Sequence, residues 1–171
     1  QVHGSGCGVR PMQVPHPPIW IAGLADGAVK RAARHGDAWY GYVRASLETL
    51  ERQLQLFAKV RSDAGLPSPV ELPLRRDVYL ASSSEAAWAR AEALIAPRMA
   101  VNDEWGVTKD LPSDSLQKGT FRDFAHGRII VGNPTECAEE INRYRARLGE
   151  LHMVVRLRWP GMSLDETLQS L

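Results

Sequence analysis

Short apolar segments alternate with longer helical patterns along almost the whole chain, and this alternation limits what the chain can fold into. Residues 19–22, 37–43, 74–81 and 153–159 are predicted strands, because each is a short run rich in β-branched, aromatic or aliphatic residues. Strands that are joined by helices form parallel sheets with right-handed crossovers. The sequence therefore predicts an α/β fold built on four parallel strands.

Capping residues mark where the predicted helices begin. Asn133 is a predicted N-cap, followed by Pro134 at the first helical position and by Glu136 near the positive end of the helix dipole. Ser46 and Ser163 are predicted N-caps of two other helices. The predicted helices span residues 25–35, 46–64, 84–96, 133–148 and 163–171, and Pro97 is expected to stop or kink the third.

Two stretches lack a regular pattern. Residues 1–17 are rich in proline and glycine, which predicts an extended lead-in, and residues 102–128 predict an insertion with a short helix around 115–125. The chain has 171 residues, a length typical of one domain. We therefore predict a single domain over residues 1–171.

Composition and net charge do not indicate a particular binding partner. Lys and Arg total 21 against 20 Asp and Glu, so a field that would select nucleic acid or a membrane surface is not expected. The sequence has neither an apolar run of about 20 residues nor a leader pattern, and Cys7 and Cys137 match no zinc or redox spacing. A cytoplasmic protein is the resulting expectation. The five histidines show no metal-ligand spacing, and the sequence has no Walker, Rossmann or Gly-x-Ser-x-Gly motif.

The turn between the first predicted strand and helix is a candidate phosphate site. Ala22, Gly23, Leu24 and Ala25 leave backbone N–H groups free at the start of a helix, and such groups bind anions. In the alternative interpretation, Gly23 only permits a tight turn and Asp26 only stabilises the helix start. The sequence alone leaves both interpretations open.

Arginines near the last predicted strand are the second group of candidates. Val154, Arg156 and Arg158 alternate with an apolar set, which predicts both arginines on the face away from the helices. Asp77 is the predicted partner of Arg156, whereas Arg158, nearer the strand's end, is a candidate for binding an anionic ligand. Arg128, beside His126, could reach a phosphate or lie in a solvated loop.

Four segments in a fixed order resemble one known family. They read PPIWIAG at 17–23, AARHGDAW at 32–39, IVGNPTE at 130–136 and LRWPGM at 157–162. Together they resemble the C-terminal half of the luciferase-like flavin- or F420-dependent monooxygenases, from about Pro11 to Leu171. The resemblance implies a partial TIM (β/α)8 barrel, in which the four predicted strands correspond approximately to strands five to eight.

The resemblance also implies a cofactor and the residues that hold it. FMN or coenzyme F420 would be the cofactor, with a small organic molecule as substrate. The family's cofactor contacts fall on Ala22, Gly23, Leu24 and Ala25 after the first predicted strand, and on Trp39 and Tyr40 at the end of the second. Leu24 stands where relatives have a second glycine. Arg128 and Arg158 complete the candidate set, and no metal site is expected.

In this family the first four strands carry the catalytic side chains, so the resemblance implies a fragment or subunit that lacks that half. The expected activity is that of a flavin- or F420-dependent oxidoreductase. The alternative is a non-catalytic flavin-binding or pairing module. Two open sheet edges predict closure in either case, by a second copy of the chain or by a complementary N-terminal half.

Overall fold

Strands and helices alternate through the computed structural model, which describes residue 8 and residues 11–69, 71–106 and 119–170. The elements are β1 (Trp20–Ala22), α1 (Asp26–His35), β2 (Ala38–Tyr40), α2 (Leu47–Asp63), β3 (Leu72–Leu80), α3 (Ser84–Glu104), α4 (Phe121–Ala125), β4 (Ile129–Gly132), α5 (Pro134–Leu148), β5 (Leu151–Arg156) and α6 (Leu164–Leu168).

The strand pairings among the described residues are all parallel, which confirms the predicted α/β class. β1 pairs with β2, and Gly41, just after β2, pairs with Leu74 of β3. β3 lies between β4 and β5, and Asp77 is opposite Ile129 on one side and Arg156 on the other. The lateral order is therefore β1, β2, β3, β5, with β4 beside the carboxyl-terminal half of β3.

Each face of the sheet has its own apolar core. Leu72, Leu74 and Val78 of β3 point to one face, where they pack with residues of α1, α2 and α5. Tyr79 points to the other face and packs with residues of α3 and α4. This division follows from the period of two in a strand, which sends successive side chains to opposite faces.

The predicted helix starts are confirmed by their hydrogen bonds. The Asn133 side chain accepts from the Glu136 N–H at 3.0 Å, and the Glu136 carboxylate accepts from the Asn133 N–H at 2.8 Å. This reciprocal capping box satisfies two backbone donors that have no partner inside a helix. Ser46 and Ser163 cap α2 and α6 in the simpler way, each accepting one backbone N–H.

One strand was not predicted, and several element boundaries differ from the prediction. Ile129–Gly132 forms a fifth strand, whereas the sequence predicted four. The last long strand is Leu151–Arg156 and ends three residues before the predicted limit, with Arg156 in the last pair that it forms with β3. Pro97 lies inside α3, which continues to Glu104, because apolar contacts on both sides of the proline outweigh its local cost.

α6 ends at Leu168, before the predicted limit, and Leu171 lies outside the described residues.

The predicted lead-in and insertion lie partly outside the described residues. Residues 1–7 and 9–10 of the first, and 107–118 of the second, are not described, whereas 11–17 contain neither helix nor strand. The start of the predicted insertion is the end of α3, and its short helix is α4. In the part of the chain that the structure describes, no helix is long and apolar enough to cross a membrane, and no cluster of His, Cys, Asp or Glu could hold a metal ion.

Candidate functional site

The sheet is strongly curved, and one of its faces is concave. Trp20 of β1 stacks on Tyr40 of β2, with 6.0 Å between ring centroids and 12° between planes. The His152 ring of β5 meets the same Trp20 ring edge-on at 5.0 Å. β1 and β5 are separated by two strands, which in a flat sheet places them about 14 Å apart. Contact between their side chains therefore requires curvature toward this face.

A cleft with a cavity volume of about 150 Å³ opens on the concave face, near the carboxyl end of β5. Residues of β3 and β5 meet there with the loop after β2 and with α3 and α4. The apolar part of the lining includes Ile95, Met99 and Phe124. The charged residues of the lining are Arg44, Arg75, Asp77, Arg98 and Arg156.

Asp77 and Arg156 form the ion pair that the sequence predicted. Arg156 Nη2 donates to Asp77 Oδ2 at 2.9 Å, and Arg75 Nη2 lies 3.7 Å from Asp77 Oδ1. Burial raises the pKa of Asp77, and the positive charges of Arg156 and Arg75 oppose that shift. The Arg156 guanidinium also lies 3.7 Å from the centroid of the Trp159 ring. A carboxylate and an aromatic ring therefore hold this arginine in place.

Arg76 holds the loop after β2 from the opposite face of the sheet. Its side chain is fully buried and donates to the carbonyls of Tyr42 and Val43 at 3.1 Å and of Ala45 at 2.9 Å. Its Nε donates to the Tyr144 hydroxyl at 3.0 Å. Burial lowers the pKa of Arg76, since the charged form loses solvation.

This function of Arg76 was not predicted from the sequence. The sequence does contain a signal for it, because Arg76 is a charged residue between Leu74 and Val78, on the face of β3 that is otherwise apolar.

The turn after β1 is fixed by two side chains. Trp39 Nε1 donates to the Gly23 carbonyl at 2.8 Å, and Gln53 donates to the Leu24 carbonyl. The Leu24 side chain is buried in the core, with 6% exposed, whereas Ala22 and Ala25 are exposed. The outer surface of the turn therefore carries only small side chains.

The other predicted cofactor residues are dispersed. Trp39 is 1% exposed and belongs to the core, while Tyr40 lies on the concave face against Trp20. Arg128 donates to the carbonyls of Phe124 and His126 at the end of α4, and Arg158 is exposed beyond β5. The structure thus brings Trp39 to the turn at 22–25 and leaves both arginines elsewhere. None of the eight predicted residues lines the cleft.

A curved parallel sheet with helical crossovers and a cleft near the carboxyl end of a strand is the arrangement of α/β proteins that bind ligands at strand ends. The sequence model of the luciferase-like monooxygenase family matches residues 2–151. The chain belongs to that family, which confirms the resemblance found in the sequence.

Solved structures share the fold at low sequence identity. Monooxygenase RslO1 from Streptomyces bottropensis is 20% identical, with a TM-score of 0.65 over 92% of this chain and 46% of its own. The oxygenating constituent of 3,6-diketocamphane monooxygenase from Pseudomonas putida, in complex with FMN, is 17% identical, with a TM-score of 0.61 over 85% and 43%. The coenzyme F420-dependent tetrahydromethanopterin reductase from Methanopyrus kandleri is 11% identical, with a TM-score of 0.54 over 90% and 48%. The chain spans less than half the length of each of these proteins.

Proposed function

We propose that this chain forms one side of a (β/α)8 barrel, approximately strands five to eight, in a flavin- or F420-dependent oxidoreductase. The observation that carries the proposal is the concave parallel sheet with a cleft near the carboxyl end of β5, since barrel enzymes bind their ligands at the carboxyl ends of the strands. β1, β2, β3 and β5 are the barrel strands in this interpretation, and β4 is a short addition.

The turn at residues 22–25 fits the phosphate end of FMN or F420. Its carbonyls accept hydrogen bonds from Trp39 and Gln53, which leaves the backbone N–H groups at the start of α1 as the polar groups of the outer surface. Arg52 Nη1 donates to Asp26 at 2.9 Å and so offsets the negative charge that would repel a phosphate. The cofactor, when bound, supplies the hydride-transfer or oxygen chemistry.

The open edges of β1 and β5 favour a second candidate function, a non-catalytic module that binds a flavin and pairs with another chain. Neither strand has a partner on its outer side among the described residues. Unpaired strand edges bind further strands, so closure by a second copy or by a complementary N-terminal half is expected under both proposals. Turnover separates them, because only the oxidoreductase consumes reduced cofactor.

The experiment is a fluorescence titration of the 171-residue chain with FMN and, separately, with coenzyme F420. We expect saturable binding of one cofactor. Ala25→Glu should weaken it by about tenfold, since a carboxylate at this exposed turn repels the phosphate. Ala58→Glu adds the same charge at an exposed position of α2 and should leave the affinity unchanged.

Failure of both cofactors to bind, or equal affinities for Ala25→Glu and the wild type, would contradict the proposed cofactor site. Oxidation of the bound, reduced cofactor by oxygen or an organic acceptor, faster than the same reaction of the free cofactor, supports the oxidoreductase. Binding without such turnover supports the pairing module. The predicted contribution of Arg158 is tested in the same assay, where Arg158→Ala should weaken binding of FMN and leave that of riboflavin, which lacks the phosphate, unchanged.

A further inference from the structure

The cleft on the concave face has an excess of positive charge. Four arginines line it, and Asp77 is the one acid among its lining residues in the described part of the chain. Arg44 is buried, and the side chains of Arg75 and Arg156 are 35% and 27% exposed. Partly buried cations need compensating anions, and among the described lining residues Arg75 and Arg156 share the single carboxylate of Asp77.

Asp77 accepts from only some of the N–H donors that Arg75 and Arg156 bring to the cleft. Its Oδ2 binds Arg156 at 2.9 Å, whereas Arg75 stays 3.7 Å from its Oδ1, beyond hydrogen-bond distance. Arg156 Nε and Asp77 Oδ1 are buried, and neither makes a hydrogen bond with the described residues. The Trp159 ring lies against the Arg156 guanidinium and restrains it. Asp77 therefore does not occupy all the donors of the two guanidinium groups that border the cleft, and an oxyanion is a matching ligand for them.

We propose that this cleft binds the oxyanion group of a small organic acid, the substrate of the oxidoreductase; this assignment rests on the function proposed above. The apolar part of the lining, Ile95, Met99 and Phe124, suits the hydrocarbon part of such a molecule. The phosphate of the cofactor is assigned elsewhere, because the turn at residues 22–25 follows β1 and contributes nothing to the cleft lining. Arg75 and Arg156 are the residues that select the acid.

The test uses benzoate as the probe and benzyl alcohol as its neutral counterpart, with the wild-type 171-residue chain. Calorimetry should give saturable benzoate binding that weakens as salt is added, and benzyl alcohol should bind at least tenfold more weakly. In ¹⁵N-labelled protein, benzoate should shift the Nε–H resonance of Arg156, the donor that has no partner in the described structure.

Two variants and a matched control identify the residues. Arg75→Gln should weaken benzoate binding by about tenfold, and it leaves the Asp77–Arg156 hydrogen bond in place. Arg156→Gln should do the same, with circular dichroism and urea unfolding to confirm that it folds. Arg31→Gln removes the same charge from an exposed position of α1 and should bind benzoate as the wild type does.

The proposal is overturned if benzoate does not bind, if benzyl alcohol binds equally well, or if Arg31→Gln weakens binding as much as Arg75→Gln. It is also overturned if Arg75→Gln weakens binding of FMN and spares riboflavin, since the cleft would then hold the cofactor phosphate. Benzoate binding by a chain that binds neither FMN nor F420 would contradict the proposed cofactor function and leave the oxyanion site standing.

Discussion

Replacing Gly23 with alanine tests how tightly the turn after β1 is packed against α1. A Cβ at Gly23 would lie 2.4 Å from the Cβ of Ala28, whereas carbon atoms in contact are ordinarily 3.5–4.0 Å apart. The turn must therefore open by about 1 Å, which displaces the Gly23 carbonyl from the Trp39 N–H that it accepts at 2.8 Å.

We expect Gly23→Ala to lower the free energy of unfolding by about 2–3 kcal/mol, from overpacking plus a weakened buried hydrogen bond. Gly27→Ala is the matched control, since nothing lies within 4 Å of the added Cβ at this helical position. It should raise the stability by about 0.5–1 kcal/mol, because alanine is the better helix former.

The assay is urea unfolding followed by tryptophan fluorescence, with equal m-values required before the stabilities are compared. Adding Ala28→Gly to Gly23→Ala removes the overlapping methyl group and should restore at least about 1 kcal/mol as a coupling energy. A Gly23→Ala stability within 0.5 kcal/mol of the wild type, or independent effects in the double variant, would refute the packing argument.

Three further changes have defined outcomes. Arg76→Met should lower the free energy of unfolding by about 3 kcal/mol or more, because the carbonyls of the loop after β2 lose their hydrogen-bond donor. Urea unfolding measures this change in stability. An unchanged stability would show that water replaces the guanidinium as the donor. Trp39→Phe should cost about 1–2 kcal/mol in the same assay, and a loss below 0.5 kcal/mol would assign the N–H no net contribution. Hydrogen bonds from Arg90 and Tyr79 lower the pKa of Glu166 from its ordinary value of 4.5 to about 2. Because the pKa is lower in the folded state, the ionised Glu166 stabilises the fold above pH 4.5, and this stabilisation is lost as the pH falls toward 2. Glu166→Gln should therefore lower the free energy of unfolding by about 1 kcal/mol at pH 7, a value reduced for solvent screening, and should have no effect near pH 2. A difference in stability that does not change with pH would contradict this explanation.

Local signals predicted the helix starts and the fold class. The capping preferences of Ser46 and Asn133 act within four residues, so they can be read directly from the sequence. The Asp77–Arg156 pair was also predictable, because both residues are charged positions on predicted parallel strands. The alternative in which Pro97 ends the helix was wrong, because the local cost of the proline is outweighed by contacts of α3 with distant residues.

The cleft could not be predicted in the same way. Arg44, Arg98 and Arg156 come from three separate elements, and only the curvature of the sheet and the packing of α3 bring them together. β4 has only four residues, too few for a pattern to distinguish a strand from an apolar loop segment. Long-range packing therefore set the features that local periodicity did not predict.

β3 pairs with other strands on both of its sides, and this affects the order in which the sheet can form. β1 and β2 pair residues only 18 positions apart, such as Trp20 and Ala38, whereas Asp77 is paired with Arg156 across 79 positions. Pairings distant in sequence form slowly, since a long loop must close first. During synthesis from the N-terminus, the β1–α1–β2 unit can assemble while one side of β3 still awaits β5. Until β5 is in place, that side of β3 is an unpaired strand edge, which is the kind of surface that favours association with another chain.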